Sequence, residues 1–258
     1  MELRRDKVLF VTALFRPPGD ERDVYRKLDV YLDLGRHLVG ASVPLRVYTS
    51  PDLEPLLRLS WQGLQVDHVE VETGQDIEGH WRRSDLELPT GRNLAKDTPF
   101  YLSVQLSKLK FAAHAACSAA FISWIDFGIF HMLRDVPSAQ ARLRRVAELL
   151  PRARLPPLVI LSPAGHEGHE KKPPDLWNTP CWRYLGSALF GEAAAFVAAH
   201  TRQTTWVGAG LPRLTWEINY WRMMPERFCE YPADHDDSML GDALLRALET
   251  PTEDPAGV

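Results

Sequence analysis

One aspartate at the end of an apolar run is well placed to do chemistry. The stretch Phe121–His131 reads FISWIDFGIFH: Phe121, Ile122, Trp124 and Ile125 lead to Asp126, then come Phe127, Gly128, a second apolar pair and His131. A short apolar run bounded by glycine fits a buried central strand better than a helix. In an open α/β sheet, ligands sit outside the carboxyl ends of the strands. Such a strand delivers Asp126 where a ligand or a metal would be, and a charge there is costly unless paired or coordinated. The alternative is an Asp that caps the turn through Phe127-Gly128.

Many nucleotide-sugar transferases carry a short Asp-x-Asp motif at a strand end. Its carboxylates hold a divalent cation, Mn²⁺ or Mg²⁺, which neutralises a leaving diphosphate. Here Gly128 stands where the second Asp would be. One carboxylate holds a hard cation poorly, so other donors would be needed. Asp234-His235-Asp236-Asp237 could supply them, with His235 as the second metal contact beside Asp126. The same aspartates would equally cap the helix that follows.

Further candidates lie along the chain. Thr12-Ala13-Leu14-Phe15-Arg16 closes the first apolar run, where backbone groups and an Arg could hold base, ribose or phosphate; alone, Arg16 is a surface charge. Neither GxGxxG nor GxxxxGK[ST] is present. Lys108 or Lys110, in the helix before Asp126, could reach a diphosphate or be ordinary exposed lysines. Gly186, Ser187 and Gly191 (within YLGSALFGEA) permit close backbone approach to a ligand. Trp216 and Asn219 could stack on a sugar and bond its hydroxyls. The competing reading is a helix with an aromatic core face, which suits Ile218 and Trp221. Glu217, if buried beside them, needs a reason, and is the candidate general base or acceptor-hydroxyl ligand. His166–Glu170 reads HEGHE, with its histidines three apart rather than four; beside Lys171-Lys172-Pro173-Pro174 it reads as a solvated loop rather than a zinc site.

These residues need elements to position them. Lys7–Leu14 reads as a central parallel strand, Arg22–Leu38 as an amphipathic helix, Leu45–Thr49 as a strand, Pro51–Leu59 as a short helix and Leu64–Glu72 as a third strand. The βαβαβ order predicts a parallel, right-handed arrangement. Thr73–Thr98 is polar, a loop over the site or a surface insertion. One helix is expected over Phe100–Ala119, another over Pro137–Leu150 capped by Asp135 or Ser138, and a strand at Leu158–Leu161. Leu185–Ala199 reads as a strand or turn passing into a helix, and a last helix ends near Leu248. A single domain over 1–249 and a disordered tail over 250–258 follow.

Composition narrows the classes. The chain has 258 residues, 45% hydrophobic and 25% charged, with a formal net charge of -4. That is an ordinary globular balance, and without a basic surface nucleic acid is a poor partner. Three cysteines with no CxxC pair suggest a reducing compartment. The first apolar run is too short for a membrane span and reads as a strand, not a signal peptide, so a cytoplasmic protein without a transmembrane segment is expected.

FVTALFR, YLSVQLSKLKFAAHA, WIDFGIFH, LGSALFG, WEINYW and DHDDSML, in that order over roughly residues 7–245, resemble the bacterial HtrL/YibB (WlaTC-like) family. WIDFGIFH and WEINYW are the most specific parts. That family resembles glycosyltransferases of the GT-A type associated with surface polysaccharide or lipooligosaccharide loci. The resemblance implies a GT-A-like (Rossmann-like) α/β fold: a mixed, mostly parallel central sheet with helices on both faces. It implies a hexosyltransferase-like activity with a nucleotide-sugar donor, a glycan or other hydroxyl acceptor, and a possible Mn²⁺ or Mg²⁺ cofactor. Asp126 then falls at the Asp-x-Asp place and Thr12 and Arg16 in the donor-side loop. Lys108 falls before the central strand, Gly186 and Gly191 in the small-residue turn, and Glu217 in the tryptophan-rich segment. The missing second Asp leaves metal dependence open. Two other classes stay in view: a degenerate nucleotide-sugar-binding protein without turnover, and a metal-dependent hydrolase using HEGHE or DHDD.

Overall fold

A computed structural model describes residues 7–16, 27–75, 77, 86–133, 135–153, 157–163, 175–180, 185–208, 213–224, 228–233 and 242–249. His235, the HEGHE stretch, Tyr184 and the C-terminal tail lie outside the described residues.

The described chain runs β1 (Val8–Leu14), α1 (Leu28–Val39), β2 (Leu45–Thr49), α2 (Glu54–Ser60), β3 (Val69–Glu72), α3 (Pro99–Leu106), α4 (Lys108–Ala115), β4 (Phe121–Ile125), α5 (Val136–Leu149), β5 (Leu158–Pro163), β6 (Leu185–Glu192), α6 (Ala193–Gly208), α7 (Glu217–Met223), β7 (Cys229–Ala233) and α8 (Asp242–Glu249). The strands form one seven-stranded sheet in the order β3-β2-β1-β4-β6-β5-β7. β3, β2, β1 and β4 are mutually parallel. β6 runs antiparallel to both β4 and β5, and β5 is parallel to β7. The fold is therefore α/β with a mixed, mostly parallel sheet, as expected.

Alternation along the strands divides the core into two layers. On β1, Val8, Phe10 and Leu14 face a layer with Leu38 of α1, Leu57 of α2, Leu143 of α5 and Leu244 of α8. Leu9 and Val11 face the other, with Leu102 of α3, Phe111 of α4, Phe196 of α6 and Trp221 of α7. Helices thus cover both faces of the sheet.

Two elements differ from the sequence-based expectation. The helix expected over Phe100–Ala119 breaks at Ser107, which closes α3 and opens α4 at φ -82°, ψ 0°. The Ser103 and Ser107 hydroxyls donate to Pro99 O and Ser103 O at 2.7 and 2.9 Å. Such i−4 bonding by a serine bends a helix. β3 begins only at Val69, because the chain turns first over Val66–Val69, where Val69 N donates to Val66 O at 2.9 Å.

Candidate functional site

Strand order reverses between β1 and β4. From β1 the chain steps outward to β2 and β3, then crosses back to lay β4 on the other side of β1. A crevice opens at the carboxyl ends of the two strands flanking such a switch point. β1 ends there at Leu14, followed by Phe15 and the exposed Arg16; β4 ends there at Ile125 and Asp126. Because β6 is antiparallel, its start comes to the same end: Ala188 pairs with Ile125, and Asp126 N donates to Ser187 O at 2.9 Å.

The turn after β4 fixes which way Asp126 faces. The Phe127 ring lies against Gly35 of α1, where any Cβ would collide with it, and Gly128 packs on the Tyr31 ring. Phe127 is thereby drawn to the α1 side. Asp126 shares the opposite side with Trp124, whose Nε1 donates to Asp126 Oδ1 at 2.9 Å.

Lys108 meets Asp126 from above. It is the first residue of α4 and only 1% exposed. Its Nζ lies 2.9 Å from Asp126 Oδ1 and donates to Asp126 Oδ2 at 3.3 Å, to Glu217 Oε1 at 2.8 Å and to Gly186 O at 2.7 Å. An ammonium has three donors and no acceptor, so all are engaged. Burial alone would push the Lys108 pKa down; the charges of Asp126 and Glu217 outweigh it and hold it above the ordinary lysine value. Glu217, 7% exposed, opens α7, where the helix dipole favours a carboxylate. Gly186 makes room for it: a Cβ there would strike the Glu217 carboxylate. The Asp126 side chain, 31% exposed, is the open member of this group.

Tyr101 on α3 belongs to the same surroundings. Thr98 caps α3 by accepting from Tyr101 N at 3.1 Å, and Lys96 Nζ stands 5.3 Å from the ring centroid. The Tyr101 pKa is pushed well up, first by burial and then by the negative charge of Glu217 and Asp126. Neither Tyr101 nor the Trp124 indole stood out in the sequence; a tyrosine seven residues before a buried lysine carries no local signal.

The other expected site residues divide. Gly186 and Ser187 are at the site through their backbone. Thr12 is fully buried inside β1, Ala13 is half-buried on the α4 side, and Gly128, a candidate for donor binding, is buried with its backbone packed against Tyr31 of α1. Gly191 pairs with Ile122 at the start of β4, four residues or about 13 Å from Asp126. There it lets the backbone of Pro157 come close, so it serves sheet packing rather than the ligand end. Asn219 is fully buried, and its Nδ2, with two N–H groups, lies 2.8 to 2.9 Å from Leu176 O, Thr179 O and Thr215 Oγ1. Its amide ties residues 175–180 to α7 rather than offering itself to a sugar, and Trp216 is likewise buried in the core. Part of the polar stretch before α3 is also tied down: Leu214 N donates to Glu87 O at 2.8 Å and Gly91 N to Asn178 O at 3.0 Å.

With Lys108 in place, the site does not fit a divalent cation among the described residues. No three His, Cys, Asp or Glu side chains converge as metal ligands. Gly128 offers no carboxylate, and Asp126 and Glu217 both already face the Lys108 ammonium.

No protein-family model matches the chain, and no curated protein matches it. Solved structures resemble it at low identity. The 4-diphosphocytidyl-2C-methyl-D-erythritol synthase of Anaerococcus prevotii has a TM-score of 0.46 at 8% identity, covering 93% of this chain and 94% of that one. Rv0371c of Mycobacterium tuberculosis in complex with manganese has a TM-score of 0.39 at 14% identity, covering 95% and 100%. Mouse xyloside xylosyltransferase 1 has a TM-score of 0.42 at 10% identity, covering 83% and 80%. These are likenesses of outline and assign no residue a role. Among the described residues no helix is long and apolar enough to cross a membrane.

Proposed function

We propose that the chain is a GT-A-type glycosyltransferase of the HtrL/YibB kind, moving a sugar from a nucleotide-sugar to a glycan or other hydroxyl acceptor in bacterial surface polysaccharide or lipooligosaccharide synthesis. The observation that carries this reading is Asp126 at the β1/β4 switch point, partly open to solvent and held by a buried lysine. A carboxylate so fixed is suited to accept hydrogen bonds from ribose or sugar hydroxyls. The nucleotide would lie across the ends of β1 and β4, with the backbone at Thr12 and Ala13 beneath it and Arg16 at its diphosphate. Glu217 is not free to act as the base, since it is tied to Lys108; it acts through Lys108 to position Asp126.

A second reading, a nucleotide-sugar-binding protein without turnover, draws on that same burial of Glu217. A thermal-shift screen against UDP-, GDP-, CMP- and dTDP-sugars, followed by an assay for nucleotide release, separates the two. A ligand that binds only the folded chain raises its stability by about 2.7 kcal/mol at a hundredfold excess over Kd. A shift with one nucleotide class, lost in Asp126→Ala and accompanied by nucleotide release, is expected. A shift without release favours the second reading, and no shift in folded protein removes both.

A further inference from the structure

We propose that the Lys108 ammonium is the resident cation of a three-oxygen cage that a divalent metal would otherwise take. The cage consists of Asp126 Oδ1 from the end of β4, Glu217 Oε1 from the start of α7 and the carbonyl of Gly186 on β6. All three lie 2.7 to 2.9 Å from Nζ. Two carboxylates and a backbone carbonyl are the hard oxygen donors that suit Mg²⁺, Ca²⁺ and Mn²⁺. Nothing in the donor chemistry selects an ammonium over such an ion; α4 does, by delivering Lys108 into the cage from its first turn. The cage oxygens would need to close by only about 0.1 to 0.9 Å, least for Ca²⁺ and most for Mg²⁺, to reach metal–oxygen distances.

Charge supports this assignment. Two carboxylates around one ammonium leave a single negative charge, borne at Asp126, the open member. Removing the ammonium leaves both carboxylates facing each other with no counter-charge, Glu217 being almost fully buried. That arrangement is costly without a cation. A lysine in place of a metal gives the cage a resident cation that chelators cannot remove, while the three groups together keep one net negative charge. The inference does not depend on the glycosyltransferase reading. The cage itself is defined by the protein.

The test uses Mn²⁺ alone, with no nucleotide. The wild-type chain and Lys108→Ala are stripped with EDTA and titrated with Mn²⁺, reading bound ion by electron paramagnetic resonance and the thermal midpoint in parallel. Lys108→Ala is expected to have a lower midpoint than wild type, to take up one Mn²⁺ and to recover its midpoint saturably. Lys108→Ala/Glu217→Gln should bind roughly tenfold or more weakly. Lys108→Arg, which keeps a cation in the cage, and the wild type should bind none. A purely structural lysine would give the lower midpoint without the gain of Mn²⁺ binding. A folded Lys108→Ala that takes no Mn²⁺ overturns the proposal. So does Mn²⁺ binding by the wild type that Asp126→Asn abolishes, an arm that stands even where Lys108→Ala fails to fold. Because no nucleotide is present, either failure is distinct from failure of the nucleotide-sugar screen.

Discussion

Lys108 and Glu217 are 109 residues apart in the chain and 2.8 Å apart in space. Neither charge could be kept inside without the other. The pair is therefore a condition for the way α4, α7 and β6 come together, whatever its net contribution to stability. Buried ion pairs often contribute little when both members are replaced together, and cost a great deal when only one is.

That asymmetry is measurable. Lys108→Met and Glu217→Gln are each expected to lose about 3 to 5 kcal/mol. Lys108→Met/Glu217→Gln should lose clearly less than the sum of the two single changes, because it removes both charges from the interior. Urea unfolding of the four chains of the cycle gives the coupling directly. Additive losses would mean that the pair is not closed in solution.

The missing side chain at residue 186 yields a second expectation. Gly186→Ala pushes a methyl into the Glu217 carboxylate and is expected to cost about 1 to 3 kcal/mol, the usual range for overpacking. Gly74→Ala, where nothing lies within 4 Å, should stay within about 0.5 kcal/mol of wild type. Chemical denaturation of both variants makes the comparison internal. Equal effects would remove the steric account of Gly186.

Alkaline pH should unlock the interior. The folded Lys108 pKa lies above its ordinary 10.5, and Tyr101 and Tyr220 lie above 10.0. Where the folded pKa is the higher, the unfolded chain gives up its proton first. The stability from these groups is fully present below the unfolded values and falls as pH rises past about 10 toward the folded ones. Unfolding midpoints should decline above that point, and tyrosinate absorbance should rise together with loss of structure. Ionisation of Tyr101 or Tyr220 in chains that remain folded, followed residue by residue by NMR, would contradict their raised pKa values.

Asn219 predicts a local effect rather than a global one. Asn219→Ala removes the amide donor to Thr179 O and one of two donors to Leu176 O, which the Thr215 hydroxyl also reaches at 2.8 Å, and should cost about 1 to 3 kcal/mol. Faster amide exchange is expected first in the segment 175–180 and at the start of α7. Exchange that accelerates uniformly across the sheet would show that the amide is not a local tie.

The sequence carried the parallel half of the sheet clearly. β1, β2 and β4 are apolar runs long enough to read as strands, and Asp126 sits at a strand end for the reason its neighbours suggested. What could not be read there is what depends on distant partners. The break at Ser107 needs the Ser103 and Ser107 hydroxyls to bond back along the helix, while the apolar spacing runs through it undisturbed. β7 is a short strand, CEYPA, whose pairing with β5 has no local marker. Lys108, Asp126 and Glu217 were each recognisable as candidates. Their contact was not, because it depends on the antiparallel placement of β6, and a side-chain pattern does not specify strand direction. Gly191, Trp216 and Asn219 had the right chemistry for a sugar, but their types serve packing equally well, and burial settled their environment.

The reversed strand β6 also has a consequence for biosynthesis. Translation releases residues in order, at about 5 to 20 per second. Lys108 therefore leaves the ribosome roughly 5 to 20 s before Glu217 does. During that interval β1 to β4 can form a parallel sheet, but β4 has no neighbour on its far side and Lys108 lacks one of its two carboxylates. An open apolar edge of this kind invites pairing with other chains. Nascent chains stalled before residue 185 should thus be the aggregation-prone species, and the arrival of β6 should both cover the edge of the sheet and supply the Gly186 carbonyl to the waiting ammonium.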